Sequence, residues 1–314
     1  MMNLIQKVFG IGILLLTGAA QAAEPVPVVV SHSILADWVT QVGGDSVAVR
    51  VLVGRDADAH TFAPTPADAA ALTRAVVIFE NGLGFEPWLD RLVAASQTKA
   101  RRVVVTRGIR PLRPELEHNH AGHGPGAHGE HAHGDVNPHF WHDPRLAQVA
   151  VETIRASLVE ADPARAAEYQ RRAETYTKEL AVLDAWIAEQ TAKLPAARRK
   201  IVTSHDTFAY FAKRYGFVVL GTALGSFTTD VPDPSARELA ALIQKVKAAG
   251  VPAVFCENMV NPKVVRQLAR EAGVKLAPVL YTDALGPAES TAGSYLKLMR
   301  SNTATIVAAL GSAE

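Results

Sequence analysis

Eleven histidines fall into two patterns in this sequence, and each pattern implies its own chemistry. Six of them, His118, His120, His123, His128, His131 and His133, crowd into the stretch HNHAGHGPGAHGEHAH. The remaining His32, His60, His139, His142 and His205 are dispersed. Neutral imidazole is the commonest side-chain ligand for borderline divalent metals, so both patterns suggest metal binding. A lone histidine is more often a core or helix-cap residue, so position has to carry the reading. His60 stands in DADAHTFAPTPAD, beyond a strand expected to end near Val53. Ser204-His205-Asp206 follows an expected strand directly, and Asp283 lies just past another that ends at Leu280. His139 precedes a helix start marked by Asp143-Pro144. Ligands of parallel α/β sheets gather beyond the carboxyl ends of strands. With two of these four residues in each half, an interlobe cleft is the natural meeting point.

Three imidazoles and one carboxylate form an N3O set suited to four-coordinate zinc, whereas manganese favours more oxygen ligands. Four protein donors leave no position for an activated water, which separates a carrier from a zinc hydrolase. No GxSxG or HExxH pattern is present, and the chain is not expected to be an enzyme. Ligands must be deprotonated, so affinity is expected to fall as pH drops through the imidazole range near about 6.5. The histidine-rich stretch holds little that could pack and is expected to be a mobile loop and a weaker, secondary capture site. Its Glu130 competes with Asp283 for the place of fourth ligand. Asp143 and Asp206 are expected to cap helices. Glu80 and Glu257 are candidates for orienting imidazoles from behind.

Elements able to position such a site alternate along the chain. Strands are predicted at Val26 to Val30, Val47 to Val53, Ala75 to Phe79 and Arg102 to Val105. A second set is predicted at Lys200 to Thr203, Val218 to Leu220, Ala253 to Cys256 and Leu276 to Leu280. Helical patterns separate or follow them, including Ser235 to Ala248 with a capping box at its start and Thr291 to Leu310 near the end. Such alternation predicts parallel α/β layers. Between the sets, Asp162-Pro163 opens a long helix that Pro195 ends. Its stripe runs through Tyr169, Ala173, Tyr176, Leu180, Leu183 and Ile187. Such a helix can tie two lobes together as a strut. Val77-Ile78-Phe79-Glu80-Asn81 and Val254-Phe255-Cys256-Glu257-Asn258 form a faint repeat, as two lobes of one topology would produce.

Bulk properties exclude other classes. With 48% hydrophobic and 20% charged residues the chain can build a core, and a formal net charge of +1 gives no general attraction to nucleic acid. Lys7, the apolar run Val8 to Ala20 and the small-x-small signal Ala20-Gln21-Ala22 read as a signal peptide, cleaved near Ala22. Cys256, the only cysteine, is expected to be a buried small hydrophobe, so neither an internal disulfide nor a lipid anchor is expected. The expected location is a periplasm.

These blocks also resemble a known family. HTFAPTPAD at 60–68, ENGLGFEPWLDRL at 80–92, NPHFWHDP at 137–144 and SHDTFAYFAKRYGF at 204–217 look like the metal-specific (cluster A-I) substrate-binding proteins of ATP-binding-cassette transporters. FCENMVNPKVVRQLAREAGVKLAPVLYTDALGP at 255–287 extends the match. The resemblance implies two (β/α)4 lobes with parallel sheets joined by one long rigid α-helix, with the metal site in the interlobe cleft. It divides the chain into a signal peptide at 1–22, a first lobe at 23–161, a linking helix at 162–195 and a second lobe at 196–314. Its ligand positions carry over to His60, His139, His205 and Asp283. It implies a monomer that captures Zn2+ and delivers it to a membrane permease with a cytoplasmic ATPase, with a periplasmic zinc chaperone as a further candidate partner. In manganese-binding relatives the third ligand is usually glutamate, so His205 and the histidine loop select zinc. The alternatives are a manganese or iron binder of the same family and a zinc-storage or adhesin protein. His142 stands where the family commonly has an apolar residue, and His32 where it often has an aromatic. A role for His142 behind the ligands or at the surface is expected. The disulfide that many zinc members carry in the second lobe is ruled out here.

Overall fold

The computed structural model describes residues 24–113 and 136–311. The expected signal peptide, the six clustered histidines and Glu130 lie outside the described residues. The first lobe is a four-stranded parallel sheet in the order β2-β1-β3-β4, from β1 (Val26–His32), β2 (Val47–Val53), β3 (Val77–Glu80) and β4 (Arg101–Val104). In the register, Val28 lies between Val49 and Val77. The helices α1 (Ser33–Gly43), α2 (Pro66–Arg74) and α3 (Leu89–Ser96) follow the first three strands. Buried on both faces, β3 reads as an unbroken apolar run up to Glu80. Thr65 and Asp68 close a reciprocal capping box on α2, with Pro66 in its first turn.

Helix α4 (Pro144–Ala161) leads into α5 (Ala166–Ala192), the long helix between the lobes. Its 27 residues span about 40 Å at 1.5 Å per residue. Every residue of the expected stripe is at most 3% exposed. Pro163 opens a separate one-turn 3-10 helix, Pro163–Arg165, and not α5 itself. The Asp162 carboxylate accepts from Arg165 Nη1 at 2.8 Å and from the Tyr169 hydroxyl at 3.0 Å, which tightens this junction.

The second lobe repeats the plan with weaker strands. β5 (Lys200–Thr203) pairs with β6 (Val218–Thr222), and β7 (Ala253–Val254) with β8 (Lys275–Leu276), all parallel. The Phe255 amide donates to the Val202 carbonyl at 2.9 Å and joins the pairs, so the order β6-β5-β7-β8 mirrors the first lobe. The predicted strands Ala253 to Cys256 and Leu276 to Leu280 survive only as two-residue segments plus a parallel bridge between Glu257 and Leu280. Pro278 explains the break. Ala277 donates to Val254, but the next rung runs from Leu280 to Cys256, a one-residue slip across a residue with no amide proton.

Helices α6 (Ala209–Tyr215), α7 (Ala236–Ala249), α8 (Lys263–Ala272) and α9 (Tyr295–Gly311) complete the fold, and the Ser235–Glu238 capping box is formed. α9 starts later than the pattern predicts because 287–293 coils into a tight turn. A side chain at Gly293 would put its Cβ 2.0 Å from the Ala288 carbonyl oxygen. α9 packs on α5 and α1. The segment leading into it is pinned to the first lobe. The Leu285 amide donates to Ser33 Oγ at 3.0 Å, the Asp56 amide to the Leu285 carbonyl at 3.0 Å, and Arg55 Nη1 to the Gly286 carbonyl at 2.7 Å. Tyr295 donates its amide to Asp37 Oδ2 at 2.9 Å. Among the described residues no helix is long and apolar enough to cross a membrane.

Candidate metal centre

His60, His139, His205 and Asp283 meet at the cleft between the lobes. One donor atom from each lies within 4.8 Å of all the others, and all four residues are at most 4% exposed. His60 lies on the loop after β2, where its amide donates to Asp58 Oδ1 at 2.9 Å and the Phe85 ring stands edge-on at 4.8 Å. The neighbouring Ala59 carbonyl is held by Trp88 Nε1 at 2.7 Å. His139 precedes a one-turn helix, Phe140–His142. Asn137 Oδ1 accepts both its amide, at 3.0 Å, and its ring Nδ1–H, at 2.8 Å. That bond fixes the tautomer and leaves Nε2 bare toward the centre. His205 follows β5, and Glu257, just beyond β7, secures it from behind. One Glu257 oxygen accepts the amides of Ser204 and His205 at 2.9 and 3.0 Å, and the other meets His205 Nδ1.

Asp283 closes the set. Its Oδ2 is 3.1 Å from His205 Nε2 and 3.3 Å from His60 Nε2, and its Oδ1 is 3.6 Å from His139 Nε2. The Nε2 atoms of His139 and His205 are 3.2 Å apart. Tetrahedral donors about 2.0–2.1 Å from one ion stand roughly 3.3 Å from each other, close to these separations. His60 Nε2 and Asp283 Oδ2 are fully buried with no hydrogen-bond partner, which is costly unless a cation satisfies them. The residues therefore fit a four-coordinate metal ion.

Burial lowers the His139 imidazole to about 4 despite the nearby Asp283 carboxylate. Burial would lower His205 too, but the Glu257 and Asp283 charges outweigh it and hold this imidazole well above its usual range. Burial would likewise raise Asp283, yet His205 and His139 keep it well below the ordinary carboxylate value.

Other expectations divide. His142 is fully buried behind the ligands and not at the surface: its Nε2 lies 3.0 Å from Thr207 Oγ1, and its ring stacks on Phe208 at 4.6 Å. His32 is buried against Phe85 and Trp141, and neither of its ring nitrogens has a partner. Glu257 orients an imidazole, as the sequence suggests, but Glu80 does not, because Arg102 takes both its oxygens at 3.1 and 2.7 Å. Asp143 caps α4 through the Arg145 amide. Asp206 does not cap α6, whose cap position is Phe208; its carbonyl instead accepts from Asn137 Nδ2 at 2.9 Å. Cys256 is a buried free thiol. Asn137 and Thr207 escaped the sequence reading. A polar residue two positions from each of His139 and His205 was the available signal.

The family model described as "ZnuA: Zinc-uptake complex component A periplasmic" matches residues 28–309. The chain belongs to this family. It is the periplasmic metal-binding component of an ABC-type transport system. A manganese-binding lipoprotein, MntA of Halalkalibacterium halodurans, is 33% identical over 296 residues, covering 94% of this chain and 91% of the relative. The iron-binding protein YfeA of Yersinia pestis is 31% identical, over 93% of this chain and 88% of its own length. The zinc-binding protein TroA of Treponema pallidum is 32% identical over 92% of this chain and 90% of its own. The solved structure of TroA superposes with a TM-score of 0.80 at 29% identity, covering 91% of this chain and 99% of TroA. TroA shares the fold, and the names of the three relatives carry three different metals.

Proposed function

We propose that this chain captures Zn2+ in the periplasm and hands it to the permease of an ABC-type zinc importer, with His60, His139, His205 and Asp283 as the ligands. One observation carries the reading: three imidazole nitrogens and a single carboxylate converge in a buried pocket within 4.8 Å of one another. A nitrogen-rich, four-donor set suits zinc better than manganese, which favours oxygen. The second reading, a manganese or iron carrier, draws on the names of two relatives. In this proposal the lobes are 23–161 and 196–314, the residues 162–195 link them, and the protein has no catalytic role of its own. The histidine-rich segment passes ions to the cleft.

The test is elemental analysis of the mature protein lacking residues 118–133, with zinc and manganese in competition. One zinc per chain, lost in His205→Ala, supports the reading. Preferential manganese or iron retention favours the second reading, and loss of all zinc with the segment points to storage.

A further inference from the structure

The three candidate imidazoles are not held alike. His139 and His205 each turn Nδ1 to an acceptor behind them, Asn137 and Glu257. No such acceptor stands behind His60. No hydrogen bond to its ring is formed among the described residues, and the Asp283 carboxylate faces its Nε2 at 3.3 Å. His60 also borders a cavity of about 40 Å3, shared with Leu83, Gly84 and Phe227, so its ring is not packed on every side. What meets the ring is Phe85. The two rings stand edge-on, with centroids 4.8 Å apart and planes at 78°, an arrangement that aromatic pairs prefer. Phe85 is fully buried, and its other neighbours His32 and Trp141 lie at 5.0 and 4.9 Å. It cannot retreat from His60 without displacing them.

The backbone that delivers Phe85 is strained. Gly82, Leu83 and Gly84 stand in succession at φ of 78°, 57° and 79°. Leucine resists the left-handed region because its Cβ crowds the backbone, so the surroundings must impose this conformation. Glu86 does so: its Oε1 accepts the Asn81 amide at 2.7 Å and its Oε2 the Gly82 amide at 3.1 Å. The Phe85 amide closes the turn on the Gly82 carbonyl at 3.2 Å. In the second lobe Glu257 also takes two adjacent amides, and the turn it clamps carries a ligand, His205. The turn that Glu86 clamps carries none. What it presents to the site is Phe85.

We propose that Phe85 is the positioning residue of His60, doing by ring contact what Asn137 and Glu257 do for the other two imidazoles by hydrogen bonds, and that Glu86 clamps the left-handed turn that presses Phe85 into place. This inference rests on the zinc-carrier reading and deepens it. One ligand of the centre is thus aimed by shape alone, through residues that never touch the ion.

The experiment uses the mature protein, with zinc titrated against a chelator at pH 8, where Glu86, raised by burial to about 7, is a carboxylate. Phe85→Leu keeps an apolar side chain and removes the ring edge. Its zinc affinity is expected to fall about 10–100-fold, the usual effect of losing a group that orients a ligand. Glu86→Gln keeps one acceptor oxygen and loses the other, and a smaller fall is expected. The deciding step repeats both in a His60→Ala background. If they act through His60, neither lowers affinity further there, to within about twofold. A contact that merely supports the fold would cost as much in both backgrounds. The visible bands of Co2+ bound to Phe85→Leu should also shift toward those of His60→Ala. An unchanged affinity and spectrum in Phe85→Leu, or a loss that persists in full without His60, overturns the inference and leaves the carrier reading standing. If Phe85→Leu does not fold, Glu86→Gln in the same two backgrounds decides. Undiminished zinc binding in His60→Ala defeats the carrier reading, and this inference falls with it.

Discussion

Glu257 fixes more of the centre's chemistry than any other residue outside the four candidate ligands. It takes two backbone amides and one ring nitrogen of the His205 turn, and it helps hold the buried imidazole well above its usual range. A proton on His205 competes with metal, so affinity is expected to climb about tenfold per pH unit below that raised value. The rise continues above the window near 6.5 that composition alone suggests. Calorimetry in buffers of different ionisation enthalpy should show proton release on metal binding. Glu257→Gln should reduce that release and weaken binding by roughly 10–100-fold. His32 acts with the opposite sign on stability. Burial lowers it to about 3, so the unfolded chain binds the extra proton and stability falls as pH drops from about 6.5 toward that value. Between pH 7 and 5 this amounts to about 2 kcal/mol. His32→Phe is expected to lose that much less in urea melts across the same interval; an equal loss would show that His32 does not sense the change. The four candidate ligands were legible because each lies beside a strand or helix end. The bonds that aim them were not, because Asn137, Thr207 and Glu257 gain their partners only when distant turns meet.

At the scale of elements, α5 bears most of the mechanical load. Its buried stripe touches α1, α4, α6 and α9, so damage to the stripe should be felt in both lobes. Leu180 is fully buried, and Leu180→Ala is expected to cost about 2–5 kcal/mol. Fluorescence and circular dichroism melts should shift together as one transition, and a shift in only one probe would argue for independent lobes. This helix and the first-lobe strands were legible because their periodicity is long and their burial continuous. The second-lobe strands were legible only in part. The slip at Pro278 and the turn closed by Gly293 depend on backbone partners that no hydrophobic pattern encodes.

The molecule as a whole does not divide at the cleft as chain order suggests. Asp283 comes from the second half of the sequence, yet the segment just after it is bonded to Ser33, Asp37, Arg55 and Asp56 of the first lobe. Trp141 Nε1 also holds the Thr282 carbonyl at 2.9 Å. Of the four, His205 is the one whose ring is held by a second-lobe side chain, Glu257, although its turn also meets Asn137 and His142. Across the mouth, the Thr229 hydroxyl donates to Asp58 Oδ2 on the loop that bears His60. In a Cys256→Ser background, a disulfide from Asp58→Cys with Thr229→Cys should slow zinc loss to a chelator. One from Ser33→Cys with Leu285→Cys should leave the rate unchanged, and slowing by the second pair would show that Asp283 travels with the other lobe. The strap from Leu285 to Tyr295 thus makes disassembly lopsided. On the proposed reading, an ion is expected to part first from His205 and to stay on His60, His139 and Asp283, a reversible way-station from which an acceptor would draw it without facing the full grip of the closed protein.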